Sequence, residues 1–246
     1  PLLALQYHRH FTHALLIAPL IGLLVALLFK GLFFWKPYPY RRLALFSIMG
    51  AITHGLIDAC TSYGTLLYWP ISHHRESWDI ISIIDPIFTL PLALLTVIAF
   101  VFRRPRFAQY AVALCLIYLS LGSYQRGQAT QFAAQIAEER GHESEELSVR
   151  PSLANILLWR IVYRSGDQYH VDALRTTPFS DPKQYPGSIV DVFSEESAQV
   201  IAPEDSILAD DIERFRFFSQ GYLYRYSDEV NVVADLRYAM FPDSIK

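Results

Sequence analysis

Long apolar runs crowd the first half of the chain and stop near Tyr124. From Arg126 onward polar and apolar residues alternate at short intervals and most of the acidic residues appear. Ala14 to Trp35 is uncharged except for Lys30, which lies close enough to one end for its side chain to snorkel to an interface. Leu43 to Cys60 is shorter and holds His54 and Asp58, Ile80 to Phe102 contains Asp85, Pro86 and Pro91, and Phe107 to Tyr124 carries no charge. Taken alone, the second run also fits a buried helix of a soluble protein. Four such runs with short polar connections predict a mainly α membrane bundle of about four transmembrane helices, at 14–35, 43–60, 80–102 and 107–124, within a domain of residues 1–124.

Residues 125–246 predict a soluble α+β domain with antiparallel strands. Gln125 to Arg140 has helical spacing at Phe132 and Ile136 and stops at Gly141. Ile156 to Arg164 and Gln168 to Leu174 flank Ser165-Gly166-Asp167, the pattern of a hairpin. A further helix is expected after Pro203, through Ile207, Ile212 and Phe215 to Gly221, with strands at Tyr222 to Tyr226 and Val230 to Tyr238.

Basic residues orient this scheme. Lys36, Arg41 and Arg42 fall between the first two runs, and Arg103, Arg104 and Arg106 between the last two, so both loops are expected in the cytoplasm. The domain after Tyr124 is then extracytoplasmic. The chain opens on Pro1, and its first apolar run starts only after three histidines, unlike a signal peptide, so upstream residues are expected.

Composition removes some classes of function. With 246 residues, 52% of them hydrophobic, one or two domains fit. A net charge of -3 and the lack of basic runs interleaved with aromatics argue against a nucleic-acid partner. The two cysteines, Cys60 and Cys115, both sit in apolar runs, so they predict packing and neither a disulfide framework nor a thiolate metal site.

Ionisable residues in apolar spans are costly, which directs the search for chemistry to His54, Asp58 and Asp85. At ~1.5 Å per helical residue, Asp58 lies roughly 22 Å and Asp85 roughly 26 Å from the cytoplasmic ends of their runs, near the outer face of a ~30 Å core. His8 and His13 precede the first run on that side. His54 and Asp58 are spaced i, i+4, on one helix face, which suits two ligands of one metal or of adjacent metals. With 8 His and 24 acidic residues, about 0.8 such pairs arise by chance, so the apolar setting carries the argument. The other pair, His142 and Glu146, lies in a solvated charged run. His8, His10 and His13 cluster within six residues, and metal ligation by at least one is expected. On a helix His8 and His13 would point about 140° apart, so a shared site needs a bend, for which Thr12 is a suitable cap. His73 and His74 read as solvated loop residues, and His170 as structural.

The order of motifs His8-Arg9-His10-Phe11-Thr12-His13, His54-Gly55-Leu56-Ile57-Asp58, Ser62-Tyr63-Gly64-Thr65 and Ile84-Asp85-Pro86 resembles the YdjM-type membrane-bound metal-dependent hydrolases. Leu158-Trp159-Arg160 and Asp235-Leu236-Arg237-Tyr238 extend the likeness more loosely. That family is thought to be distantly similar to zinc-dependent phospholipase C and nucleases. The resemblance implies a multi-pass protein of the bacterial inner membrane that uses metal-activated water on a phosphoester, with one or two Zn ions. It makes His8, His13, His54 and Asp58 the metal ligands and Asp85 a further ligand or an acid/base group. The family's usual upstream segment, ending in Pro-Asp-x-Asp, has no equivalent before His8. His10 either ligates or replaces a small residue.

Arg9 is expected either to hold an anionic phosphoryl group or to anchor to lipid headgroups. Depth points to a lipid-linked or amphipathic substrate drawn from the bilayer. Two rival classes remain. A transporter would spread its ionisable groups across the midplane. A non-catalytic scaffold would use a structural metal and dock a protein partner through the Tyr- and Phe-rich C-terminal domain.

Overall fold

A computed structural model describes residues 2–203, 205–227 and 232–245. The chain forms two compact units, one of residues 1–78 and 213–220, the other of residues 79–212 and 221–246.

The first unit begins with a short helix α1 (Leu3–Gln6) and a single 3-10 turn (Phe11–His13). Helices α2 (Ala18–Leu32) and α3 (Tyr40–Ala59) follow. The buried residues of both are small: Ala18, Gly22 and Ala26 on α2, and Ala44, Gly55 and Ala59 on α3. A Cβ on Gly22 would lie 2.5 Å from the Ile48 Cα, so the close approach of the helices depends on glycine there. The large side chains point away: Leu20, Leu24, Leu27 and Leu28 are exposed. Small residues inside and leucines outside are the reverse of a water-soluble helix pair, and they suit an apolar surrounding.

The second unit opens with α4 (Pro86–Val101) and α5 (Pro105–Glu139). Asp85 starts α4, its Oδ1 accepting the Phe88 N–H at 3.1 Å as an N-cap. In the later turns of α5, Gln125, Ala129, Ala133 and Ala137 are buried at four-residue spacing, and this stripe meets the sheet. Gln125 Nε2 donates to the Thr176 carbonyl at 3.2 Å.

The sheet is antiparallel, in the order β1 (Glu146–Pro151), β2 (Leu158–Ser165), β3 (Gln168–Thr177), β4 (Ser180–Asp191). Helices α6 (Glu195–Ile201) and α7 (Ile207–Ser219) follow, and residues 213–219 of α7 belong to the first unit. A second antiparallel pair, β5 (Leu223–Ser227) and β6 (Val232–Asp235), joins the first sheet through a bridge between Val192 and Tyr224. Val162, Tyr169, Val171, Tyr222, Tyr224 and Leu236 form the core beneath.

The hairpin expected around Ser165-Gly166-Asp167 is β2–β3, with Ser165 paired to Gln168 and Gly166 at φ 58°. The strand expected from Val230 is β6; Val230 and Asn231 lie outside the described residues, as does Glu204 near the expected start of α7.

The expectation of about four transmembrane helices is corrected. Among the described residues one helix, α5, is long and apolar enough to cross a membrane. There are up to two if Leu3–His13 and α2, bent by 81°, count as one span. The physical reasons are local. Asp85 caps a helix, so the run at 80–102 yields only the 16 residues of α4. The run at 14–35 yields the 15 of α2. At ~1.5 Å per residue these reach roughly 24 and 22 Å, short of a ~30 Å core. The 20 residues of α3 would reach across, but Arg41, Arg42, His54 and Asp58 dilute its apolar character. With one or two candidate spans in place of about four, the multi-pass topology and the extracytoplasmic placement of the C-terminal half lose their basis. What stands is a helical N-terminal region followed by an antiparallel sheet domain.

Candidate metal centre

Three sequence-derived site residues meet in the first unit. His13 ends the 3-10 turn, and His54 and Asp58 lie one turn apart on α3. One donor atom from each can be chosen so that all three lie within 4.8 Å of one another. The His13 and His54 rings are 4.6 Å apart, centroid to centroid. The chain reaches this arrangement because Gly55, between the two α3 residues, has no side chain: a Cβ there would collide with the His13 carbonyl oxygen. The bend that His13 needs is supplied by the turn at 11–13 and by Arg9 at φ 50°.

Asp58 is held from several sides. Its Oδ2 lies 3.0 Å from His13 Nε2 and 3.1 Å from Arg9 Nε. Arg9 Nη1 also donates to the Asp58 carbonyl at 3.0 Å and to Thr61 Oγ1 at 2.5 Å, and its guanidinium lies over the Tyr63 ring. Burial pushes the Asp58 carboxyl up, but the His13 hydrogen bond and the Arg9 charge outweigh it and hold it below the usual carboxylate range. The group is thus an anion at neutral pH.

Thr12 Oγ1 is 2.8 Å from His13 Nδ1, which fixes the ring and leaves Nε2 facing the carboxylate. Two imidazoles and an ionised carboxylate, with an oriented histidine, form a donor set that fits a divalent metal such as Zn. His54 is exposed, so one side of the cluster is uncovered.

The other expected residues are not part of that triple. His8 is not among the three; its ring packs on Tyr63 at 5.4 Å, and its carbonyl accepts from Arg75. His10 packs on Trp69 at 5.3 Å. Asp85 belongs to the second unit, where its Oδ1 caps α4 and its Oδ2 accepts the Tyr118 hydroxyl at 2.7 Å. His142 is tied to the Tyr163 hydroxyl at 2.9 Å instead of being merely solvated. Thr12, Gly55 and Thr61 complete the centre, and none was assigned a site role from sequence except Thr12 as a cap. Each adjoins or nearly adjoins a predicted ligand, and that adjacency was the available signal.

An apolar helix long enough to cross a bilayer, together with two helices in close contact at Gly22 that carry exposed leucines, suits a membrane setting. The model of the family described as "YdjM inner membrane protein" matches residues 1–129, and the chain belongs to that family. The match spans every residue of the candidate centre as well as Asp85. No curated protein and no solved structure matches the chain.

Proposed function

We propose that the protein is a metal-dependent hydrolase of the inner membrane, with His13, His54 and Asp58 holding a divalent ion, Zn by its donor set, and a phosphoester or lipid-linked molecule as substrate. The convergence of those three donors within 4.8 Å carries this reading. A metal held there supplies a Lewis acid that lowers the pKa of water and polarises an ester oxygen. The chain's own residues do the positioning. Thr12 sets the His13 ring, and Arg9 and Thr61 hold the end of α3 so that the Asp58 carboxylate cannot swing away. The exposed edge at His54 leaves room for a substrate. Membership of a membrane family, with α5 apolar enough to lie in a bilayer, favours a substrate that is itself membrane-borne.

A second reading, a scaffold with a structural metal, rests on one observation: Arg9 already neutralises the Asp58 oxygen that faces His13. The two separate in an assay of metal-dependent release of phosphate or headgroup from a panel of membrane phosphoesters by the purified protein. Turnover that stops on chelation and returns with Zn supports the hydrolase. No turnover across the panel supports the scaffold.

A further inference from the structure

The first unit contains a cleft of about 500 Å³ that none of the preceding chemistry uses. His73, His74 and Arg75 line it from the loop after α3, and Arg216, Phe217 and Gln220 from the end of α7. It is made by chain return: Gln220 Nε2 donates to the Arg75 carbonyl at 2.9 Å across 145 residues of sequence. Arg75 is buried and fixed. Its Nη2 donates to the carbonyls of Gly64 at 2.8 Å and His8 at 3.1 Å, and its guanidinium lies over the Phe218 ring. Arg216 is less completely matched. Its Nε lies 3.4 Å from the exposed Glu213 carboxylate, while its buried Nη2 has no hydrogen-bond partner among the described residues.

Two arginines, two histidines and one glutamate thus line a cleft of ligand size. At the cleft, Arg216 is held by a single 3.4 Å contact to an exposed carboxylate, a loose pairing with which an entering anion would compete. Arginine's planar fork suits phosphoryl oxygens, and the volume exceeds that of a bare phosphate. We propose that this cleft binds a small phosphoryl-bearing organic anion, with Arg216 as the cationic group, buried Arg75 adding positive charge behind it, and His73 and His74 as the hydrogen-bonding rim. A lipid headgroup and a soluble phosphate ester share this chemistry. The site does not depend on the metal reading, since none of its lining residues belongs to the His13, His54, Asp58 cluster.

The test is titration calorimetry of the full chain in a maltoside detergent with inorganic phosphate and with glycerol 3-phosphate. Binding is expected to weaken by roughly tenfold or more in Arg216→Gln and to change by less than about twofold in Arg214→Gln, with zinc content the same in all. Exposed His74→Ala gives a second reading that spares the fold, and it should also weaken binding. Tighter binding of glycerol 3-phosphate than of phosphate is expected, and equal or weaker binding overturns the organic anion; competition by anionic phospholipid in mixed micelles, present for a headgroup and absent for a soluble ester, separates the two sources. Failure of both anions to bind, or binding unchanged in both Arg216→Gln and His74→Ala, overturns the proposal. An equal loss in Arg214→Gln does so as well.

Discussion

The carbonyl oxygen of His13 occupies the space that a side chain on Gly55 would fill. Because Gly55 stands between His54 and Asp58, this one contact sets the distance of the third donor from the other two. Gly55→Ala therefore forces the turn at 11–13 away from α3. The expected cost is about 1–3 kcal/mol, as for other overpacked positions. Thermal unfolding should show it, together with reduced bound zinc. Gly50→Ala, on the same helix with nothing within 4 Å of its Cβ, is the control and should be neutral or stabilising.

Thr12 touches the centre through the His13 ring. Thr12→Val keeps the shape and removes the hydroxyl, so the imidazole loses its outer partner. Zinc affinity, measured by competition with a chelating dye, should fall by about tenfold or more, with little change in unfolding temperature. Unchanged affinity would mean that His13 is not a ligand.

Asp85 is bound on both oxygens within the second unit. Asp85→Ala removes the cap of α4 and strands the Tyr118 hydroxyl, at an expected cost of about 1–2 kcal/mol or more. Asp85→Asn retains an acceptor for the Phe88 N–H and should recover much of that loss. Neither should change zinc content. A loss of metal in both would make Asp85 part of the centre after all.

The His170 ring lies 4.4 Å from the His142 ring and stacks at 5.0 Å on that of Tyr163, and it feels the charges of Arg140 and Asp172, themselves paired 2.7 Å apart. Burial, then the charges of His142 and Arg140, lower its pKa from 6.5, with Asp172 opposing. The unfolded chain therefore takes up this proton first. The stabilisation is fully present above about pH 6.5 and is lost as the pH falls through the lower folded value. Denaturant midpoints should drop between about pH 7.5 and pH 5.5 in the wild type, and less in His170→Gln.

Sequence carried parts of this fold and withheld others for identifiable reasons. The hairpin at Ser165-Gly166-Asp167 was legible because turn chemistry is local. The i, i+4 pair His54 and Asp58 was legible because a helix fixes that spacing, but nothing in the sequence said that Gly55 would admit His13 between them. The apolar runs overstated the spans, since hydropathy does not register that Asp85 caps a helix or that residues 14–17 precede α2. At 124–125 the change of composition suggested two helices, whereas α5 runs unbroken through 35 residues. No helix breaker lies there, so polarity marks a change of surroundings, from exposed apolar turns to the stripe that packs on the sheet. Strand β4 escaped because Pro182, Pro186 and Gly187 argue against a strand, a combination that an edge position tolerates. The cleft at Arg75 and Arg216 joins residues far apart in sequence, which local patterns do not reveal.

The metal assignment is tested most directly by elemental analysis of the purified full-length protein beside a His54→Ala, Asp58→Ala variant shown by circular dichroism to keep its helix and strand content. Zinc should be bound in stoichiometric amount by the wild type and lost from the variant. Equal metal content in the two would contradict the assignment.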